Sequence, residues 1–289
     1  MEPEHIRFGG GATETLVHPA VAVWMLVAIV LILTLPRKKA IIPFLLAFFT
    51  IPVGQVVLLG SLHFTVLRIL VIAGLVRRAT VGGSSSAGKF PGGFNLVDRM
   101  VVLWTVSAMT IGSLQWMNTQ ALIHNLGNFI DALGGYLVVR FFIPDGESIQ
   151  RTAKTLAALC LIQAACMTNE QITHVNVFGY LGGMLVAVRI REGQIRSEGV
   201  MGCIAAGAFA GVLIPLFVWL WTEKKSRVSA FVGLAGAAAM VITSRSSTSF
   251  LALGGSLLGL CFWRLRNQMR LVRWGLVSML VALHLVMKS

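Results

Sequence analysis

Charge is what this sequence lacks. Only 12% of its 289 residues are charged and only 11 are Asp or Glu, against roughly a quarter charged in a soluble globular domain. With 56% hydrophobic residues and a mean hydropathy of +0.81, the chain reads as a polytopic membrane protein, all-α, with one helical bundle over residues 1–289. Cysteine is scarce as well: Cys160, Cys166, Cys203 and Cys261 lie in or beside apolar segments without CxxC spacing or histidine partners, a pattern that favours packing over a disulfide or metal framework. The six histidines show no HExxH or paired metal spacing. No glycine pattern opens a dinucleotide-binding helix, no Ser/His/Asp order can be argued, and no repeat of about 20–50 residues suggests a solenoid or an inverted-repeat transporter. No metal or cofactor is therefore expected. Residues 1–16 are acidic and Gly-rich rather than a cleavable signal, so the first apolar run is expected to be an anchor.

What is present is a net charge of +13. In a soluble protein it would suggest nucleic acid, but there is no basic, aromatic-interleaved soluble segment, and the cations fall in the breaks between apolar runs. They read as topology determinants facing anionic lipid, with no nucleic-acid partner. Keeping Pro36-Arg37-Lys38-Lys39 in the cytoplasm places the N-terminus outside. The expected spans are about ten: 19–35, 40–59, one from His63 to Arg77-Arg78, 96–114, 121–142, 155–167, 199–221, 228–243, 250–263, and a last one from about Leu271. Residues 79–95 form a flexible inner loop rich in Gly and Ser. Within it Gly83–Lys89 (GSSSAGK) approaches a phosphate-binding loop but fails, since Phe90 replaces the hydroxyl and Pro91-Gly92 follow where a helix should start. Residues 168–198 form a long outer loop, whose Val177–Val188 piece is too short to cross and is expected to be interfacial or re-entrant.

This topology leaves Arg7, Arg68, Arg189, Arg191, Arg196, Arg245 and Lys288 outside and the rest of the 24 Lys and Arg inside. The exceptions are all arginine but one. They stand on the wrong side for orientation, and planar, permanently charged guanidinium groups suit phosphate and pyrophosphate. Headgroup anchoring is the alternative for Arg189, Arg191 and Arg196. Arg245 lies in TSRSSTS, where hydroxyls and a guanidinium could jointly hold a phosphate or simply make a tight turn. Arg68, about a turn inside its span, either snorkels or contacts a buried anion. In the fifth span Asn125, Asn128 and Asp131 share a helical face beside His124. An intramembrane carboxylate is costly unless paired or hydrated, so Asp131 marks either a functional site or an interhelical contact with a polar group or arginine. Gly207-x-x-x-Gly211 and Gly255-x-x-x-Gly259 read as helix-packing signals. His63 and His174, placed outside, are available as acid or base.

The Pro36-Arg37 end of the first span, the arginine in LHFTVLRIL (62–70), an outer loop of form E(x)n-R-x-R-x-G-x-x-R, and a Gly/Ala-rich span with Pro215 followed by the Ser244-Arg245-Ser246-Ser247 turn form one pattern. It resembles the O-antigen ligase and O-antigen polymerase family over most of the chain. The resemblance implies a GT-C-like glycosyltransferase of the bacterial inner membrane, acting on glycans carried by undecaprenyl pyrophosphate, with membrane lipids around it and neither metal nor nucleotide sugar. It also implies that Arg189, Arg191, Arg196 and Arg245 face the pyrophosphate. Two departures bear on activity. Val200-Met201-Gly202-Cys203 stands where similar sequences often carry a histidine, and the chain ends before the large periplasmic loop that holds the family's proposed catalytic histidine. A C-terminally truncated member, active or not, is what this implies. The sequence offers cations to stabilise a leaving pyrophosphate and no assignable base. A solute transporter built on Asp131 and a non-catalytic scaffold are the competing readings.

Overall fold

The computed structural model describes residues 15–60, 62–82, 93–263 and 265–288. Arg7, Arg264 and the Gly83–Lys89 stretch lie outside the described residues. The structure is mostly helical, at 78%. Helix α1 (Pro19–Thr34) starts with a proline, whose missing N–H costs nothing at that position, and with His18 Nδ1 accepting from the Ala20 N–H at 3.2 Å. It ends at Leu35, where the following proline disfavours helical geometry.

The expected second span is only half a helix. Helix α2 (Ile41–Thr50) stops at Ile51, which takes extended geometry ahead of Pro52. Residues beyond it form strand β1 (Val56–Leu59), antiparallel to β2 (Leu62–Thr65) in the register Val56↔Thr65 to Leu59↔Leu62, and Gly60 takes positive φ at the turn. β-Branched Val56, Val57 and Thr65 favour strand over helix here. Helix α3 (Val66–Gly82) follows, so residues 79–82 of the expected loop are helical.

Helix α4 (Leu96–Trp116) begins with a reciprocal cap between Asn95 and Asp98. Helix α5 (Thr119–Phe129) runs through a π-helical turn, Ile130–Gly134, into α6 (Gly135–Phe142). Helix α7 (Gly146–Thr173) is longer than the expected 155–167 and takes in the first residues of the expected outer loop. The rest of that loop is ordered: a 3₁₀ turn at Val177–Leu181, then strands β3 (Arg189–Arg191) and β4 (Gln194–Arg196). Helices α8 (Cys203–Thr222), α9 (Arg227–Ser244), α10 (Ser247–Trp263) and α11 (Met269–Lys288) complete the chain.

Among the described residues three helical stretches, Leu96–Trp116, Cys203–Thr222 and Lys224–Ser244, are long and apolar enough to cross a membrane. The number reaches five if each of two sharply bent pairs counts as one span: α5–α6 with α7, bent by 119°, and α10 with α11, bent by 89°. Burial fits that setting. Trp104 and Leu103 on α4 and Leu251 on α10 are more than half exposed, as lipid-facing apolar side chains would be. Phe49, Phe141, Phe142 and Phe217 fill the interior.

Small residues set the closest helix approaches. A Cβ at Gly211 would come within 2.9 Å of the Leu253 backbone nitrogen, and one at Gly236 within 2.8 Å of the Leu161 nitrogen. The second expected packing motif is different: a Cβ at Gly255 or Gly259 would meet nothing within 4 Å. That pair faces away from the bundle.

The polar ties sort into two ends. At one, Arg77 donates to the carbonyls of Ile32 and Leu35, Arg37 Nε to the Phe141 carbonyl at 2.6 Å, and Gln150 to Ser226 Oγ at 2.9 Å. This basic end gathers the last turns of α1, α3 and α6 with the first turns of α7 and α9. At the other, the hairpin end, Leu16 pairs with Val56 and the Ser197 N–H donates to the Thr243 carbonyl at 3.1 Å.

Candidate functional site

The β3–β4 connection is a two-residue turn, Glu192-Gly193, with φ of 54° and 73°. Two consecutive positive φ values define the turn type whose twist suits a hairpin, and the glycine makes it attainable. The register pairs Arg189 with Arg196, Ile190 with Ile195 and Arg191 with Gln194. Because side chains alternate along a strand, Arg189, Arg191, Gln194 and Arg196 share one face of the hairpin and the two isoleucines the other. The Arg-x-Arg-x-Gly-x-x-Arg spacing thus concentrates three guanidinium groups on one small surface.

Directly opposed like charges destabilise a strand pair, so something must hold this arrangement. Arg189 Nε contacts Glu198 Oε1 at 2.7 Å, and Arg191 Nε approaches Glu192 at 3.5 Å. The Nε of half-buried Arg196 is enclosed and has no hydrogen-bond partner among the described residues. Arg189 and Arg191 remain largely exposed, at 65% and 71% of their side chains, so both can still meet a ligand.

The base of the hairpin is fixed by polar side chains that face it from α7. Fully buried Glu170 accepts from the N–H groups of Glu198 at 2.7 Å and Gly199 at 2.8 Å. Gln171 Nε2 donates to the carbonyls of Ile195 and Thr243, both at 3.1 Å, and to Ser197 Oγ at 2.8 Å. Gln163 donates to the Phe49 carbonyl at 2.7 Å and accepts from the Val200 N–H at 3.2 Å. Asn176 donates to the Gly199 carbonyl. Gly199 itself has φ 55°, and a Cβ there would press within 2.8 Å of Gln163 Oε1. These residues escaped the sequence reading although a signal existed: Gln163, Glu170 and Gln171 lie at helical spacing in an apolar segment, one face of α7.

A second latch holds the neighbouring loops. Buried Gln55 accepts from the His18 N–H at 2.9 Å and donates to the carbonyls of Leu181 and Gly182, each at 2.7 Å. Beside it a Cβ at Gly54 would overlap the Gly183 carbonyl. Between these loops, Arg189, Glu198 and the first turn of α8 lies a groove of about 820 Å³, mostly apolar in its walls. The α8 terminus opens into it through Gly202, Cys203, Ile204 and Ala205; Gly202 has φ 86° and no side chain caps that end. An uncapped helix N-terminus directs backbone N–H groups and a partial positive charge at whatever occupies the groove.

The other sequence candidates are distributed unevenly. Arg245 is the exposed C-cap of α9 at φ 44°, two residues from Thr243, whose carbonyl receives the Ser197 N–H. The hairpin and the Ser-rich turn are therefore joined through their backbones. Three of the hydroxyls of that turn are engaged internally: Ser244 Oγ donates to the Val241 carbonyl and lies 2.9 Å from Ser249 Oγ, and Thr243 Oγ1 donates to the Ala239 carbonyl. Those of Ser244 and Ser249 pack against Gly207 where α8, α9 and α10 meet. Arg68 is not brought to the groove. Its Nε and Nη2 form a two-pronged pair with Asp131 at 3.0 and 2.7 Å, and Nη1 donates to the His63 carbonyl at 2.8 Å. Of the expected polar face, Asn128 meets His124 at 3.1 Å in an exposed contact and Asn125 reaches Ser113 on α4. His174, the left-handed C-cap of α7, is exposed.

Among the described residues no three His, Cys, Asp or Glu side chains gather as a cation site. Comparison with protein-family models, curated proteins and solved structures returns no match.

Proposed function

We propose that the hairpin end binds the diphosphate of a polyprenyl-linked glycan, and that the chain works in surface-polysaccharide assembly as a relative of the O-antigen ligases and polymerases of the bacterial inner membrane. The supporting observation is the shared face of Arg189, Arg191 and Arg196 beside an apolar-walled groove into which the α8 N-terminus opens. A diphosphate offers several oxygens to forked donors, and an isoprenoid tail suits apolar walls. Arg245, on the connection tied to the hairpin base, adds a fourth cation to this face of the protein. In this reading the basic end lies in the cytoplasm, in keeping with the positive-inside rule. The helical segments run back and forth between the two ends, with α2 as a half-span, so that about ten of them cross or enter the bilayer. The arrangement stabilises a leaving diphosphate; the catalytic base is left unassigned.

The test is binding of an undecaprenyl pyrophosphate analogue to purified protein in one detergent and one salt concentration. Arg189→Lys, Arg196→Lys and Arg245→Lys should each weaken binding by roughly tenfold, because a lysine keeps the charge but loses the two-pronged geometry, a difference of about 1.4 kcal/mol. Membrane insertion should be unchanged. Equal affinity in all three variants would mean that the arginines only anchor headgroups, where lysine serves as well.

A further inference from the structure

A second cavity, of about 420 Å³, lies inside the helical bundle, bounded by one face each of α2, α3, α6, α7 and α8. Its lining repeats at helical spacing: Ile41, Phe44, Leu45 and Phe48 from α2, with Leu213 and Leu216 from α8 opposite. Two polar groups interrupt this apolar surface. Asp131 is neutralised by Arg68. Thr152 is 6% exposed, and its hydroxyl is buried with no hydrogen-bond partner. An unmet buried hydroxyl costs about 1–3 kcal/mol; the Ser148 hydroxyl, one turn earlier on α7, is enclosed and unmet in the same way, and an acceptor admitted to the chamber that Thr152 lines would relieve that cost.

A polar basin at the basic end adjoins the chamber, although the two share no lining residue. Two pairs of chain neighbours mark where they approach: Ile143 lines the chamber and Pro144 the basin, and Thr152 lines the chamber and Arg151 the basin; Ile41 in the chamber and Lys39 in the basin are two residues apart. In this basin of about 530 Å³ the cations Arg37, Lys38, Lys39 and Arg151 face the carboxylates Asp145 and Glu147. Lys38 pairs with Asp145 at 2.6 Å and Arg151 with Glu147 at 2.7 Å. A net positive charge remains in the basin, beside an apolar chamber whose lining includes Thr152.

We propose that this is a site for an anionic glycerophospholipid: the phosphate in the basin, one acyl chain in the chamber, and the chain's ester carbonyl accepting from the Thr152 hydroxyl. The cationic basin suits the phosphate and the adjoining apolar chamber suits an acyl chain. Polybasic contacts to anionic lipid contribute about 1 kcal/mol per cation, and the volume falls in the roughly 300–1,000 Å³ range of ligand clefts. The basin lies at the opposite end from the groove, and neither basin nor chamber shares a lining residue with it, so the proposal does not rest on what the groove binds. A stably held lipid would wedge α2 and α6 against α7 and α8.

Purified protein in nanodiscs is irradiated with phosphatidylglycerol carrying a diazirine on one acyl chain, or with phosphatidylcholine carrying the same chain, and labelled peptides are mapped. Phosphatidylglycerol should label chamber residues such as Leu156 and Leu213 at least about fivefold more than phosphatidylcholine, the preference that about 1 kcal/mol provides. Lys39→Gln should reduce that preference, and Thr152→Val should reduce chamber labelling while leaving the apolar lining intact. Gly135→Leu is the occlusion test. A Cβ at Gly135 meets nothing within 4 Å and that residue lines the chamber, so the new side chain fills it while improving helix propensity. Labelling there should vanish with the melting temperature kept. Equal labelling by both lipids, labels confined to outward residues such as Trp104 and Leu251, or chamber labels that survive Gly135→Leu would overturn the site. Chamber labelling by a polyprenyl phosphate probe but not by phosphatidylglycerol would also overturn it, assigning the cavity to a ligand of the hairpin end. If Gly135→Leu fails to fold, the Thr152→Val and Lys39→Gln arms still decide.

Discussion

Arginine plays two different parts in this protein. Within the helices it closes distances: Arg68 grips Asp131, Arg77 ties α3 to the end of α1, and Arg140 contacts Asp98, which also receives the Tyr136 hydroxyl at 2.6 Å. At the hairpin it does the reverse. Arg189 and Arg196 are placed opposite one another, a pairing that costs energy and serves no packing purpose. The guanidinium is the same; what differs is exposure, since Arg68 and Arg77 are turned into the fold, whereas Arg189, although paired with Glu198, and Arg191 keep most of their side chains open. An enclosed guanidinium implies a structural tie, and an exposed cluster of like charges suits a ligand. On this criterion Arg68, which shares the outer side with Arg189 in the sequence topology, belongs to the first group. The same pair weakens a transporter reading, because Asp131 already has a dedicated counter-ion in place of a free carboxylate.

That division is sharpest where a single change should break one part and spare the other. Asp131→Ala leaves Arg68 charged and partnered only by the His63 carbonyl. Removing one member of a buried pair costs about 3–5 kcal/mol; Asp131 is 26% exposed, so about 2–3 kcal/mol is expected, read as a lowered unfolding midpoint in detergent. The double variant Arg68→Met with Asp131→Leu should recover most of the loss, since apolar isosteres often replace such pairs without penalty. Arg191→Ala should leave the midpoint within about 0.5 kcal/mol, as for a surface change. A midpoint more sensitive to Arg191 than to Asp131 would reverse the assignment.

Glycine offers a second, smaller contrast, between contacts and open space. Gly54→Ala drives a methyl into the Gly183 carbonyl and should cost about 1–3 kcal/mol by overpacking. It should also disturb the groove, of which both residues are walls. Gly259→Ala enters open space on α10 and should be neutral or stabilising by up to about 1 kcal/mol. Equal effects from the two would mean that the 52–55 and 182–183 loops are not locked together.

Helical class, most segment boundaries and the arginine cluster were legible in the sequence because they rest on hydropathy and local spacing. The half-helix at Ile41–Thr50 was legible only in part. Pro52 and Gly54 announced a break, yet apolar residues on both sides of it read as one continuous span, since hydropathy does not distinguish strand from helix. The pairing of Arg68 with Asp131, separated by 63 residues, is a tertiary fact that no local pattern contains. So is the arrest of the outer loop by Gln163, Glu170 and Gln171. The two GxxxG motifs look alike as strings, and only the fold tells that Gly211 touches a neighbour and Gly259 does not.

The smallest expected effect concerns the basic end and asks whether its ion pairs matter at all beside its backbone ties. Hydrogen bonds from the Lys38 ammonium and from Ser148 hold Asp145 well below the usual carboxylate range, and the Lys38 ammonium is raised in turn. A depressed acid contributes stability that is present above its unfolded value, about pH 4, and is lost as pH falls toward the folded one. A raised base contributes stability that is present below its unfolded value, about pH 10, and is lost as pH climbs past it. Both groups are solvent-exposed, so the contribution is small and screened by salt. Asp145→Asn is the informative change: asparagine caps a helix about as well as aspartate and keeps the Ser148 contact, while the charge is gone. Its melting temperature should fall less than the parent's between pH 4 and pH 3, and the difference between the two proteins should shrink at about 1 M salt. Identical pH profiles would show that Arg37 and Gln150, through the Phe141 carbonyl and Ser226, hold this end without help from the exposed pair.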